Sequence, residues 1–88
     1  MYNLETTKRF DKQYKKLSAK DKEQTLKIIE KLLAGERLEP RYKDHKLQGI
    51  YKDFRECHIK PDLLLIYQKH EDILVLACIA LGSHSDLF

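Results

Sequence analysis

Phe54-Arg55-Glu56-Cys57-His58-Ile59-Lys60-Pro61-Asp62-Leu63-Leu64-Leu65-Ile66-Tyr67 is the segment in which the hydrophobic pattern turns from helical to extended. Over 54–59 the period is two. Phe54, Glu56 and His58 fall on one face of a strand, and Arg55, Cys57 and Ile59 on the other. Pro61-Asp62 interrupts the strand and opens a second one, Leu63–Tyr67. A polar His70-Glu71-Asp72 turn then leads to a third, Ile73–Leu81. These last two runs are apolar on both parities, which predicts central strands covered by more than one layer. The three strands read as an antiparallel meander.

Upstream the period is helical. Tyr2–Thr6 alternates and predicts a short first strand. Thr6 or Thr7 can cap a helix whose apolar stripe is Phe10, Tyr14 and Leu17. Ser18, followed three residues later by Asp21, has the spacing of a second helix start. The stripe there is Leu26, Ile29 and Leu33, widened by Ile28 and Leu32, and Gly35 is a stop. Residues 34–53 are polar, contain Gly35, Pro40 and Gly49, and read as one long loop of the kind that tends to be functional. The sum is an α+β domain spanning 1–88. A mostly antiparallel four-stranded sheet, in the element order β-α-α-β-β-β, carries an N-terminal helical hairpin packed across it.

Eighty-eight residues leave room for one buried core. With 42% hydrophobic and 35% charged residues the chain reads as folded, not disordered. The net charge is only +3, which excludes a histone-like polycation. That charge is uneven, with 13 Lys/Arg against 8 Asp/Glu in residues 1–46 and 4 against 6 in 47–88. Either a solvated Lys-rich helical surface or a cationic rim that attracts a polyanion accounts for it. Cys57 and Cys78 are too few for a disulfide framework and lack zinc-site spacing. No apolar run approaches a membrane span and Met1–Glu5 lacks a signal-peptide core, so the expected compartment is the cytoplasm and no membrane partner is expected.

Phosphate-loop, nucleophile-elbow and H-E-x-x-H signatures are absent. What remains is a polar set at the edges of the predicted sheet: His45, Arg55, Glu56, His58, Asp62 and His84. Glu56 and His58 lie about 6.5–7 Å apart along one strand face. Asp62 opens the neighbouring strand, His84 follows the last one, and His45 comes from the long loop. Were they to converge, RNA strand cleavage without a metal is the chemistry that fits. Attack by the ribose 2′-OH on the adjacent phosphorus needs a base, an acid and a cation, and histidine serves as either acid or base near neutral pH. Arg55 could neutralise phosphorane charge, although its strand parity opposes that of Glu56 and His58. Three histidines and two carboxylates could also ligate zinc or manganese. Their scatter over 40 residues without a tight local pair disfavours that, and no metal or other cofactor is expected.

Three segments carry a resemblance: Tyr42-Lys43-Asp44-His45-x-Leu47-Gln48-Gly49, then Phe54–Tyr67, then Gly82-Ser83-His84-Ser85-Asp86-Leu87-Phe88. Together, in this order and at these separations, they resemble the YafQ branch of the RelE/ParE toxin superfamily. The resemblance implies a RelE-like fold and the toxin of a bacterial type II toxin–antitoxin pair, an endoribonuclease that cleaves mRNA, often on the ribosome. It also implies neutralisation by a cognate antitoxin, with operator DNA bound only through the toxin–antitoxin complex. His45, His58, Asp62 and His84 fall on the branch's active-site positions and Phe88 on its terminal aromatic; Glu56 stands where some members have Asp. The expected acid–base pair is His84 and His45. His58 and Asp62 assist, with Arg55, Glu56 and Phe88 as supporting or RNA-binding residues. Phe88 either stacks on a base or plugs the end of the sheet. A DNA gyrase poison of the ParE kind and a non-catalytic RNA- or partner-binding module remain as alternatives.

Overall fold

The computed structural model describes residues 1–88. The elements are β1 (Asn3–Thr6), α1 (Lys8–Lys15), α2 (Ala19–Leu33), β2 (His45–Lys46), β3 (Arg55–Lys60), β4 (Leu63–His70), β5 (Val75–Gly82) and α3 (His84–Leu87). One sheet holds all the strands in the order β1-β5-β4-β3-β2. β3, β4 and β5 form the expected antiparallel meander, and β1 lies parallel to β5. The sheet is therefore five-stranded, not four-stranded: β2 arises inside the expected loop, where two 3₁₀ turns, Pro40–Tyr42 and Gly49–Tyr51, flank it. With only two residues, β2 has no periodicity for a sequence reading to detect.

Thr7 caps α1 by accepting from the Phe10 amide, and Ser18 caps α2 by accepting from the Asp21 amide. Gly35, at φ +77°, ends α2. The Glu36 amide reaches the Lys31 carbonyl and the Gly35 amide that of Leu32, the paired bonds of a Schellman stop. The buried stripe of α2 is Thr25, Ile28, Ile29 and Leu32, whereas Leu26 is exposed. The helix is thus rotated from the face expected through Leu26 and Leu33. Thr25 can take a core position because its hydroxyl donates to the Asp21 carbonyl at 2.8 Å.

The two sheet faces are unequal. On one, Phe10, Ile28, Ile29 and Leu32 from the helices pack on Cys57, Leu65, Tyr67, Leu76 and Cys78, forming the main core. On the other, Leu64, Ile66 and Ala80 are covered by Leu87 of α3, with Phe54 alongside. α3 is a third helix absent from the sequence expectation, so the helices are not confined to an N-terminal hairpin. Four residues with a single apolar anchor give too little pattern to reveal it. The register slips at Ile79, since Ile66 faces Ala80 while Tyr67 faces Cys78. This bulge returns Leu81 to the helical face. No helix is long and apolar enough to cross a membrane.

Candidate active site

Register places the polar set. His45 on β2 faces Glu56 on β3, which faces Ile66 on β4 and, through it, Ala80 on β5. The next row runs from His58 through Leu64 to Gly82. Residues directly opposite in antiparallel strands share a face. His45, Glu56 and His58 therefore lie on the face that carries α3, opposite α1 and α2.

Glu56 is 5% exposed, and its Oε2 lies 3.3 Å from His45 Nε2. The other ring nitrogen, Nδ1, donates to the Lys43 carbonyl at 2.6 Å. Both nitrogens thus face oxygen atoms. Glu56 Oε1 is buried without a hydrogen-bond partner. A buried carboxylate oxygen left this way carries an uncompensated desolvation cost.

His84 opens α3 behind the Ser83 cap, where Ser83 and Asp86 form a reciprocal capping box. The bond from Ser83 to the exposed Asp86 side chain holds that carboxyl below its ordinary range. The His84 ring lies 5.0 Å from that of Phe88, and Phe88 meets Tyr51 edge-on at 5.3 Å. Tyr51 is in turn 6.5 Å from Phe54. An aromatic line thus crosses this face from the start of β3 to His84. Leu87, 8% exposed, plugs the second core, while Phe88 keeps 45% of its surface open. Of the two readings of Phe88, base stacker or plug, the plug falls to its neighbour Leu87. Two strand spacings, about 10 Å, separate His58 from Gly82, and three, about 14 Å, separate His45 from Ala80. α3 folds back from β5 over β4, where Leu87 meets Leu64 and Ile66.

Two members of the set stand apart. Asp62 lies in the β3–β4 turn, highly exposed, with Lys60 at 3.9 Å as its ion-pair partner and no bond to a histidine. Arg55 projects to the helical face, as its parity predicted. There its guanidinium lies 3.4 Å from Asp44 and 3.4 Å from the Tyr67 hydroxyl. His58 makes no side-chain hydrogen bond and lines a groove of about 700 Å³ between α2 and the open edge of β3. Lys27, Lys31, Arg41, Lys43 and Lys60 also line it, and no carboxylate-bearing residue does. Glu23, Glu39 and Asp21 pair with several of these cations from outside.

The family described as bacterial toxin of type II toxin-antitoxin system, YafQ, matches residues 2–88. The chain belongs to the YafQ toxin family. Among similar proteins, an Escherichia coli K12 protein named mRNA interferase toxin YafQ is 43% identical over 47 residues, 53% of this chain. The match spans about half, 49%, of that relative's length. A copper-bound mutant toxin from Helicobacter pylori is 41% identical with a TM-score of 0.91, covering 100% of both chains. YafQ in the E. coli DinJ-YafQ complex is 27% identical with a TM-score of 0.84, covering 100% of this chain and 99% of that one.

In this YafQ-family chain the sequence reading missed two groups beside the site. Tyr51 sits in a 3₁₀ turn whose sequence gave no reason to meet the C-terminal aromatic. Asp44 bonds Tyr67 across 23 residues, a contact no local pattern encodes. The only trace of it was an acidic residue directly before His45.

Proposed function

We propose that this chain is an endoribonuclease that cleaves mRNA by attack of a ribose 2′-OH on the adjacent phosphorus, and that a cognate antitoxin neutralises it. The bond formed is O2′–P and the bond broken is P–O5′, leaving a 2′,3′-cyclic phosphate and a 5′-hydroxyl. One group removes the 2′ proton and another returns a proton to the 5′ oxygen. The observation that carries this reading is the buried Glu56 carboxylate, with one oxygen 3.3 Å from His45 Nε2 and the other unpartnered. It shares a sheet face with His58 and the aromatic line that ends at His84. His84 and His45 are the acid–base pair in this reading, with Glu56 fixing the His45 ring and His58 contacting phosphate. Phe88, half open, offers a ring for a base. The cation-lined groove beside His58 supports a polyanionic substrate. In this reading Asp62, exposed in the β3–β4 turn, and Arg55, on the helical face, support the pair without transferring a proton.

The mRNA interferase name of the E. coli relative and the DinJ-YafQ complex support the activity and the antitoxin partner. Ribosome-bound mRNA is the substrate we favour, and operator DNA would be met only by the toxin–antitoxin complex. The Helicobacter neighbour is described as copper-bound. Here no group of three His, Cys, Asp or Glu side chains gathers to hold a metal. The His45–Glu56 pair supplies two donors, so no step is routed through an ion.

The test is cleavage of an mRNA, free and on programmed ribosomes, by wild-type and His84→Ala protein, with the ends mapped. Cyclic-phosphate ends from the wild type, and a rate about 10²–10⁴-fold lower in the variant, are expected. No cuts in either setting, with growth arrest retained by both proteins, would make the chain a protein-targeting poison instead.

A further inference from the structure

β2 holds His45 with two ladder pairs, His45 with Glu56 and Lys46 with Arg55. Such a strand is too short to fix its own side chains, and the residues before it have left helix and sheet geometry. Lys43, a non-glycine, occupies the left-handed region at φ 48° and ψ 39°. That conformation aims the Lys43 carbonyl at His45 Nδ1, and it persists only where the surroundings impose it.

The residue between them is Asp44, whose carboxylate is held from two sides. The Tyr67 hydroxyl donates to Oδ1 at 2.5 Å, and Arg55 Nη2 lies 3.4 Å from Oδ2. Arg55 Nε donates to the same Tyr67 hydroxyl at 3.4 Å, closing the triangle. Tyr67 is 1% exposed in β4, fixed by the main core. Side chains alternate along an extended chain, so Asp44 points to the helical face and His45 to the other. An apolar side chain at 44 would fix only the depth of the segment. The directional Tyr67 bond, with the Arg55 ion pair on the other oxygen, fixes the orientation of its peptide as well.

We infer that Asp44 and Tyr67 are positioning residues for His45: their bond, on the sheet face opposite the imidazole, orients the ring against Glu56 and the Lys43 carbonyl. This rests on the proposed role of His45 in cleavage, but the ring's placement can be read without that role. The experiment uses the full chain labelled with ¹⁵N, recording the His45 ring nitrogens by long-range correlation NMR across pH. The kcat and KM for RNA cleavage are measured alongside. Tyr67→Phe and Asp44→Asn should both move the His45 ring signals. Each should lower kcat about 10- to 100-fold with KM within about twofold. The double variant should be little worse than either alone, because both remove one interaction.

His45 signals unchanged in both variants, with only the melting temperature lowered, would overturn the inference. Should Tyr67→Phe fail to fold, Arg55→Gln acts on the same carboxylate from a partly exposed position and must shift the same signals. A His45→Ala protein that cuts at the wild-type rate would instead sink the proposed role of His45, while the ring spectrum still decides the positioning.

Discussion

Glu56 carries its carboxylate into the sheet with one oxygen on His45 and the other on nothing. A buried acceptor without a partner costs about 1–3 kcal/mol, so the residue is kept at the expense of the fold. Glu56→Gln removes the buried charge at nearly constant volume. Urea unfolding should show stability unchanged or raised by about 1 kcal/mol, while RNA cleavage is lost. A stability loss above about 1 kcal/mol would mean that the His45–Glu56 pair is structural. At this scale the sequence reading was partly sufficient. Strand parity alone put Glu56 with His58 and set Arg55 apart. It could not place Asp62, because a turn residue has no parity, nor could it find the bond between Asp44 and Tyr67.

Thr7 does the work of two residues at the junction of α1 and β5. Its oxygen accepts from the Phe10 amide, and its hydroxyl donates to the Ile79 carbonyl at 2.5 Å, the residue at the β5 bulge. Ser18 serves α2 as a cap alone. Ser18→Ala should therefore cost about 1 kcal/mol, the ordinary loss of a cap. Thr7→Ala should cost about 2–3 kcal/mol, because the bulge carbonyl loses its donor as well. Thr7→Ser should recover most of that difference, and chemical denaturation of the three variants decides it. Equal losses in Thr7→Ala and Ser18→Ala would show that the bulge bond contributes nothing. Both caps were legible, since capping is local chemistry. β2 and α3 were not, because two- and four-residue elements are specified by what they pack against: Glu56 and Arg55 for β2, and Leu64 and Ile66 for α3. The rotation of α2 escaped for a similar reason, a threonine at 25 being satisfied by its own backbone and so free to enter the core.

Across the whole molecule the sheet separates two tasks. The helical face holds the main core, with the buried thiols and the Tyr67 phenol. The other face carries the His45–Glu56 pair, His58 and the aromatic line, above a smaller apolar patch sealed by Leu87. This division gives the fold an alkaline limit independent of the histidines. Burial pushes the Cys78 thiol up to about 12. It pushes Cys57 higher still, with Asp44 nearby adding to it. For Tyr67, burial acts first and the bond to Asp44 second, again upward. All three stay protonated in the folded chain at pH values where the unfolded chain releases those protons. The unfolded state then binds fewer protons, so stability falls as pH rises. The loss begins near the ordinary thiol range, about pH 8.5, and continues to about pH 12, with each group contributing up to about 1.4 kcal/mol per pH unit. Urea midpoints at pH 7, 9 and 10.5 should fall in that order. Cys78→Ala should flatten the decline by the share of one proton, because alanine has nothing to release on unfolding. A midpoint constant to pH 10.5 would mean that these groups reach solvent in the folded chain, and that the helical face is not the closed core from which the site's scaffold is derived.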